Sequence, residues 1–291
     1  MNLEEWIEIG IRSGTVMKQE IEEKTFEEVY KQWFLMKLNV IKAQSCDRIE
    51  VTYNRYYADS WFVKQNVSAL DESAVIRFLT GIIVGRGDIT AKEFRRIYQI
   101  VNNVLVYARF LELGGVRLFD WEMIRRYVPE GKMLPKLHKE FAVPRADIEK
   151  LLRLVVEENI YPRKRSASLC LVLNFFLGLR VGELASLTWQ DVDLSCRVVR
   201  IYKTETKAYN RDETGERCGP MVYQVVEDVK TFYSVREVPL LPEAVYILEE
   251  LREHHQQNGY KSQYLAYDGR DTILVRSLDR TLRKLCRYCD V

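Results

Sequence analysis

The sequence lacks the features of a membrane or secreted protein. No apolar run approaches the about 20 residues that a membrane-spanning helix needs. The first five residues, MNLEE, are acidic, whereas a secretory leader begins with basic residues. We therefore expect a soluble, cytoplasmic protein with no membrane partner. Its 291 residues, of which 47% are hydrophobic, suffice for two domains with separate cores.

Cysteine and histidine are too sparse to indicate a disulfide framework or a metal site. Six cysteines are scattered over the chain, which favours reduced thiols. Cys286 and Cys289 have the spacing of half a zinc site, but His138, His254 and His255 supply no second ligand pair at a suitable spacing. We interpret the two thiols as ordinary helix cysteines and predict that the protein holds no metal and no cofactor.

An excess of one charge is also absent. The chain has 44 Lys and Arg residues against 42 Asp and Glu residues, a formal net charge of +2. The total charge therefore neither requires nor excludes a nucleic acid partner, and only local clusters of basic residues can indicate one. Such clusters occur at residues 132–139 and 163–165.

Helical periodicity dominates the first half of the chain. Thr25 with Glu28, and Thr90 with Glu93, form capping boxes, which satisfy the free N–H groups at the start of a helix. Apolar and aromatic side chains recur at helical spacing and should form a core. After a helical lead-in over residues 1–22, we predict helices over residues 26–36, 46–65, 73–84, 94–113 and 120–129. The pattern indicates an all-helical domain over residues 23–129.

The pattern changes at residues 129–143, which have no periodicity and contain two prolines, a glycine and three lysines. We predict an interdomain linker over residues 130–143. Helical spacing resumes at Pro144, and residues 167–177 are so apolar that a helix there must be buried on most sides. Two more helices are predicted, over residues 242–255 and 277–288.

Between these helices the pattern is typical of β-structure. Residues 197–202, 221–226 and 234–240 are short β-branched segments, and they predict a small three-stranded antiparallel sheet. Residues 210–217 are polar and should form a mobile insertion between the first two strands. The expected fold class is mainly α, with an all-helical N-terminal domain followed by an α+β domain over residues 144–291.

Arg180 is the first candidate functional residue. It stands between two apolar runs and is bracketed by Gly178 and Gly182, where one helix should end and another begin. Burying an unpartnered charge is costly, so Arg180 needs a carboxylate or an anionic ligand, and a guanidinium is well shaped to bind a phosphate. Glu183, three residues later, could hold the guanidinium while its outer edge remains available. A closed Arg–Glu pair that joins two helices is the alternative.

Two motifs carry a family resemblance. Residues 178–193, GLRVGELASLTWQDVD, closely resemble the first arginine box of the tyrosine recombinases, the phage and transposon integrase family. Residues 229–240, VKTFYSVREVPL, are similar to the lysine of that family's β-hairpin followed by its Arg-x-x-Pro-Leu strand. The motifs occur in the family's order. The first half is also similar to the family's SAM-like core-binding domain, so the resemblance covers roughly residues 23–291.

The resemblance implies site-specific DNA strand exchange without a metal. In this family a tyrosine attacks the scissile phosphate to give a 3'-phosphotyrosyl link, arginines stabilise the transition state, and a lysine protonates the leaving 5'-oxygen. Carried over, Arg180 is the first phosphate-binding arginine, Glu183 its orienting partner and Lys230 the general acid. Lys203 and Lys207 are rivals for the role of Lys230. The residues expected to contact DNA are Lys136, Lys139, Arg163, Lys164, Arg165, Lys203, Lys207 and Arg236.

The sequence departs from the family's pattern in its last part. No histidine is followed by an arginine three residues later, and Tyr288 does not stand in a context suited to the nucleophile. We therefore expect the N-terminal part of a longer recombinase that binds DNA weakly and does not cleave it. Its expected partners are double-stranded DNA and other recombinase protomers, and without DNA it should be a monomer.

Two alternatives remain open at the level of sequence. The chain could be a non-catalytic DNA-binding regulator related to integrases. It could also be a helical protein-interaction module in which Arg180 and Glu183 form a purely structural pair.

Overall fold

The computed structural model describes residues 23–135, 144–227, 235–288 and residue 290. These residues form two compact units. The first unit comprises the described residues of Met1–Lys139 together with Ala208–Met221, and the second those of Glu140–Lys207 and Val222–Val291. The predicted domain boundaries differ from this division because they place residues 208–221 in the second domain. The predicted lead-in, residues 1–22, and residues 136–143 of the predicted linker lie outside the described residues.

The first unit is built from five helices of the described chain. They are α1 (Phe26–Leu38), α2 (Ala43–Tyr56), α3 (Glu72–Arg86), α4 (Ala91–Phe110) and α5 (Trp121–Tyr127), with 3-10 turns at Trp61–Lys64 and Glu130–Lys132. The capping box at the start of α1 is complete, since Thr25 and Glu28 bond each other's backbone N–H groups. The second helix ends at Tyr56 rather than continuing to residue 65, and a 3-10 turn replaces its predicted last part.

Aromatic side chains fill the core of the first unit. The rings of Tyr30 and Tyr53 stack with centroids 3.6 Å apart, and Phe62 stacks on Phe78 at 4.3 Å. Trp33 is fully buried beside them. Large apolar rings of this kind contribute much of the free energy of burial in a domain core. The prediction that most of these aromatics form core is confirmed.

The second unit is organised around one buried helix. Its helices are α6 (Arg145–Leu152), α7 (Arg165–Leu177), α8 (Val181–Ser186), α9 (Pro242–Gln257) and α10 (Val275–Tyr288). Helix α6 continues into a π-helical turn at Arg153–Glu157, and 3-10 turns lie at Pro162–Lys164 and Trp189–Asp191. Helix α7 packs against both α9 and α10. Its residues from Arg165 to Leu173 are all buried, as its apolar sequence predicts.

The strands form two small sheets. They are β1 (Val192–Asp193), β2 (Val198–Ile201), β3 (Thr204–Arg211), β4 (Arg217–Val226) and β5 (Arg236–Pro239). One sheet is three-stranded and antiparallel in the order β1-β2-β5, with Val199 opposite Val192 on one side and Val238 on the other. The other sheet is the hairpin β3–β4.

Two predictions about the strands are wrong in detail, although the small antiparallel sheet itself is present. Residues 221–226 do not join the three-stranded sheet, because they lie in β4 and pair with β3. Residues 210–217 are not a loose insertion but the turn of this hairpin with its flanking strand residues. The tip is held by ion pairs, since Arg211 contacts Asp47 and Glu50 at 2.6 Å each.

Hydrophobic helices of this chain are short. Within the described ranges, none combines the length and the apolar character that crossing a bilayer would require.

Candidate active site

Glu183 is the centre of the candidate site. Its carboxylate is 2% exposed and accepts hydrogen bonds from two arginine side chains. Arg180 donates from Nη1 to Oε1 at 2.9 Å, and Arg236 donates from Nη1 to Oε1 at 3.2 Å and from Nη2 to Oε2 at 2.8 Å. The Arg180 side chain is 71% exposed and that of Arg236 is 31% exposed. We call Arg180, Glu183 and Arg236 the open arginine cluster.

The end of α7 sets the position of Arg180. Gly178 caps this helix in the left-handed region at φ +60°, which glycine adopts without strain. Asn174 then braces the next residue, because its amide accepts from the Leu179 N–H at 2.9 Å and donates to the Leu179 carbonyl at 3.1 Å. The chain therefore reaches Arg180 in a fixed extended conformation.

Helix α8 holds Glu183 under the two arginines. The Glu183 Oε2 also accepts the Arg180 backbone N–H at 2.9 Å, which ties the carboxylate to the start of the helix. Gly182 allows close approach of the following strand, because a Cβ at this position would lie 2.5 Å from Thr204 Oγ1 and 3.0 Å from the Glu205 carbonyl oxygen. The i, i+3 spacing thus places carboxylate and guanidinium together as the sequence indicates.

The cluster carries a net positive charge. Burial raises the pKa of Glu183, but the hydrogen bonds from Arg236 and from the Arg180 backbone and side chain outweigh it, so the pKa lies below its usual value. The bond to Glu183 in turn raises the pKa of Arg236. One carboxylate therefore stays ionised between two guanidinium groups, and Arg180 presents its charge to solvent. Such a group can bind an oxyanion through charge-assisted hydrogen bonds.

Lys203 is engaged elsewhere in the same unit. Its ammonium lies 2.7 Å from Asp191 Oδ2 and donates to Thr188 Oγ1 at 2.9 Å, with 13% of the side chain exposed. Asp191 is buried and also accepts the Thr188 backbone N–H at 2.7 Å. Lys203 is thus a structural ion-pair partner in this conformation. Lys207 is exposed on β3, and Lys230 lies outside the described residues.

The basic cluster at residues 163–165 does not act as one patch. Arg165 points inward with 9% of its side chain exposed, donates to the carbonyls of Val155 and Val156, and pairs with Glu250 at 3.1 Å. The prediction that Arg165 contacts DNA is therefore corrected, because its guanidinium is consumed by buried acceptors. Lys164 pairs with Asp268 at 2.6 Å.

The other predicted basic contacts are distributed differently. Arg163 is exposed, and Arg236 belongs to the open arginine cluster rather than to a separate DNA contact. Lys136 and Lys139 lie outside the described residues. The structure thus joins Arg180, Glu183 and Arg236, and separates them from Lys164 and Arg165, whose partners are other side chains and carbonyls.

Two supporting features were missed at the level of sequence. Asn174 is a single amide in an apolar helix, and its position four residues before the capping glycine was the available signal. Thr188 and Asp191 have the spacing of a capping box, and both bonds of that box are present. Together they fix the segments on either side of α8.

The described residues contain no group of three or more His, Cys, Asp or Glu side chains arranged to hold a metal ion. Cys46, Cys170, Cys196, Cys218 and Cys286 are free thiols.

Known proteins match this chain at the level of family. The sequence profile of the phage integrase family matches residues 143–288, about half of the chain. A tyrosine recombinase XerC-like protein of Caldanaerobacter subterraneus subsp. tengcongensis is 30% identical over 114 residues, which are 38% of this chain. The aligned part spans only 28% of that relative.

Solved structures match at the level of fold. The Tn1549 transposon integrase in complex with circular intermediate DNA aligns with a TM-score of 0.63 at 12% identity, covering 92% of this chain and 79% of the other. The same integrase with transposon right end DNA gives a TM-score of 0.58 at 16% identity, covering 79% of this chain and 66% of that one. A lambda integrase tetramer bound to a Holliday junction gives 0.56 at 12% identity, covering 98% and 71%. The expected fold class is confirmed.

Proposed function

Because the chain belongs to the phage integrase family, the tyrosine recombinases, we propose that it acts in site-specific recombination of DNA. The observation that carries this proposal is the open arginine cluster, in which one buried carboxylate orients two guanidinium groups and leaves Arg180 71% exposed. A purely structural pair would be expected to enclose both charges. The exposed guanidinium instead suits a phosphodiester as its ligand.

In this proposal Arg180 binds the non-bridging oxygens of the scissile phosphate. Negative charge on these oxygens grows in the transition state, and donors that are already fixed stabilise it without further reorganisation. Glu183 is a positioning residue, since its carboxylate is buried and faces the arginines rather than solvent. Arg236 is the second guanidinium held by the same carboxylate, and we assign it to the same phosphate.

The proton for the leaving oxygen is assigned to a lysine. A tyrosine hydroxyl would attack phosphorus, the bond to the 5'-oxygen would break, and that oxygen would take its proton from Lys230. Lys203 is poorly suited because Asp191 and Thr188 hold its ammonium, whereas the exposed Lys207 remains an alternative. We assign no tyrosine as the nucleophile, and we propose that the chain as printed binds DNA without cutting it.

The phosphate contact can be tested by removing one charge from each partner. Duplexes selected for tight binding from a random library would carry a single methylphosphonate at successive positions. We expect one position where the substitution weakens binding of the unaltered protein about tenfold, the equivalent of about 1.4 kcal/mol, and has little effect on Arg180→Ala. Arg200→Ala is the matched control, since Arg200 is an exposed arginine that pairs with Glu237 on the neighbouring strand. If every position shows additive losses, Arg180 does not contact a phosphate.

The absence of cleavage has its own assay. A nicked duplex that releases a short 5'-fragment after attack traps any covalent protein–DNA product. We expect none from this chain, and a trapped product would show that one of its own tyrosines is the nucleophile.

We also propose that the chain is a monomer in the cytoplasm and meets other protomers on DNA. The lambda integrase structure, a tetramer bound to a Holliday junction, supports assembly on DNA for a protein of this fold. Light scattering after size-exclusion chromatography should give one protomer without DNA and two or more per duplex with it. A dimer without DNA would contradict the first part.

A further inference from the structure

A small polar cavity opens in the first unit, between helices α1, α2 and α4. It has a volume of about 240 Å³, which is several times the volume that one water occupies in the liquid, about 30 Å³. Its polar lining comes from Trp33, Ser45, Arg48, Thr52, Arg96, Gln99 and Asn103. The three on α4 recur at positions i, i+3 and i+7, so they share one helix face. None of the lining residues is acidic.

The two guanidinium groups in this cavity are not neutralised by nearby acids. Neither Arg48 nor Arg96 forms an ion pair with any residue in the described ranges. Asp47 and Glu50 lie on the same helix as Arg48, but Arg211 and Arg217 engage them at 2.6 Å. The hairpin arginines thus neutralise the acids of α2 and leave the cavity positive.

One buried donor at the cavity wall also lacks an acceptor. Trp33 is 0% exposed, lines the cavity, and its indole Nε1 has no hydrogen-bond partner among the described residues. A buried N–H without an acceptor is costly, and most such groups in folded proteins have a partner. A ligand that brings acceptor oxygens would remove this cost.

We propose that this cavity is a phosphate-binding site, separate from the open arginine cluster. Two guanidinium groups, two amides, two hydroxyls and an indole N–H offer many donors, which is the chemistry that a phosphate group requires. A concave site accepts a phosphate, whereas reading base edges requires a side chain that protrudes into a groove. The phosphate could belong to the DNA backbone, which rests on the proposed function, or to a smaller phosphate-bearing ligand.

The indole of Trp33 provides a direct measurement. The sequence contains five tryptophans, so the indole region of an amide correlation spectrum should show five resolvable signals, and the signal of Trp33 can be assigned with Trp33→Phe. We expect inorganic phosphate to shift this signal in the unaltered protein and in the control variant R77Q/R95Q. We expect no shift in R48Q/R96Q. Arg77 and Arg95 are exposed arginines outside the cavity, so the two double variants lose the same charge.

DNA supplies the second arm of the test. The slope of the logarithm of the binding constant against the logarithm of salt concentration should fall by about 1 for each lost phosphate contact in R48Q/R96Q, beyond any change in R77Q/R95Q. A shift with phosphate and a lower slope assign the site to the DNA backbone. A shift with an unchanged slope assigns it to a smaller ligand. If phosphate does not move the Trp33 signal, or moves it equally in R48Q/R96Q, the proposal is wrong.

The outcome does not depend on the catalytic proposal. Arg180→Ala should leave the phosphate shift of Trp33 intact, because Arg180 lies in the second unit. Failure of the methylphosphonate test with a positive Trp33 shift would overturn the role of Arg180 alone.

Discussion

Two regions of this molecule use the same chemistry to different ends. The open arginine cluster joins Arg180 and Arg236 on Glu183, and its Arg180 side chain is 71% exposed. A closed arginine cluster in the first unit joins Arg211 and Arg217 to Asp47 and Glu50, and its Arg211 side chain is 8% exposed. Arginine and carboxylate at bonding distance therefore do not identify a ligand site. The solvent exposure of the guanidinium does.

The closed cluster binds its arginine from several directions. Arg211 donates to Asp47, to Glu50 and to the Gly215 carbonyl at 2.9 Å, and its guanidinium lies over the Phe34 ring at 5.2 Å. No side of this group is left for a phosphate. The cluster is a structural device that anchors the hairpin tip on α1 and α2 within the first unit.

The largest difference between the clusters should appear when an arginine is removed. Arg211→Ala leaves two carboxylates without their main partner, and removing one member of a buried ion pair costs about 3–5 kcal/mol. We expect the free energy of unfolding of the first unit to fall by about 3 kcal/mol, measured by urea denaturation. Hydrogen exchange in α2 and the hairpin tip should rise at the same time.

The matched variants decide whether charge is the cause. Arg217→Ala should cost less, because its side chain is 29% exposed and it contacts only Glu50. Adding Asp47→Asn and Glu50→Gln to Arg211→Ala should restore part of the loss, since neutral amides no longer need a cation. No recovery would mean that packing on Phe34 rather than charge dominates.

Each cluster also depends on one glycine at a close approach. At Gly182 a Cβ would meet Thr204 Oγ1 at 2.5 Å and the Glu205 carbonyl oxygen, and a backbone oxygen cannot move aside cheaply. At Gly215 a Cβ would lie 2.9 Å from the side chains of Leu35 and Leu38, which can shift, although φ there is +82°. We expect Gly182→Ala to cost about 2–3 kcal/mol and Gly215→Ala about 1–2 kcal/mol.

Thermal unfolding of the two variants tests this order. Gly182→Ala should also weaken DNA binding because α8 carries Glu183, whereas Gly215→Ala should not. An equal loss of stability in both variants would remove the distinction between backbone and side-chain contacts.

Local spacing explains what could be predicted from the sequence. Arg180 and Glu183 are three residues apart, so a short helix brings them together and the pair could be predicted. Arg236 is 53 residues from Glu183, and only the pairing of β2 with β5 places it on the same carboxylate. Arg211 is 164 residues from Asp47, so the polar hairpin tip offered no local sign of its anchor and was wrongly predicted to be mobile.

Burial limited the prediction of single residues in the same way. Arg165 belongs to a run of three basic residues that is typical of a surface patch, yet its guanidinium satisfies two carbonyls of the π-helical turn and Glu250. Lys203 was weighed as a general acid, but the buried Asp191 holds it. In both cases the partner, not the basic residue, decides the role, and the partner is distant in sequence.

Acid should weaken both clusters, by an amount smaller than these substitutions. Burial raises the pKa of Glu183 and of Glu50, but arginine hydrogen bonds outweigh it, so both pKa values lie below the usual 4.5. A carboxyl with a lowered pKa stabilises the fold above its unfolded pKa, and this contribution is lost as the pH falls from about 4.5 through the folded pKa. Urea midpoints between pH 6 and pH 3 should show the loss. It should be smaller in Arg211→Ala, because Glu50 then titrates nearer its unfolded value, and an unchanged profile would contradict this assignment.

The smallest effect on stability is expected for Arg180→Ala. Its side chain is 71% exposed, and exposed ion pairs contribute about 0–1 kcal/mol. Glu183 keeps both bonds from Arg236 and the bond from the backbone N–H of residue 180, so its charge stays compensated after the substitution. We therefore expect unfolding by urea to change by less than about 1 kcal/mol while the phosphate contact is lost. A loss near that of Arg211→Ala would mean that Arg180 is structural, and the contrast between an open and a closed cluster would then disappear.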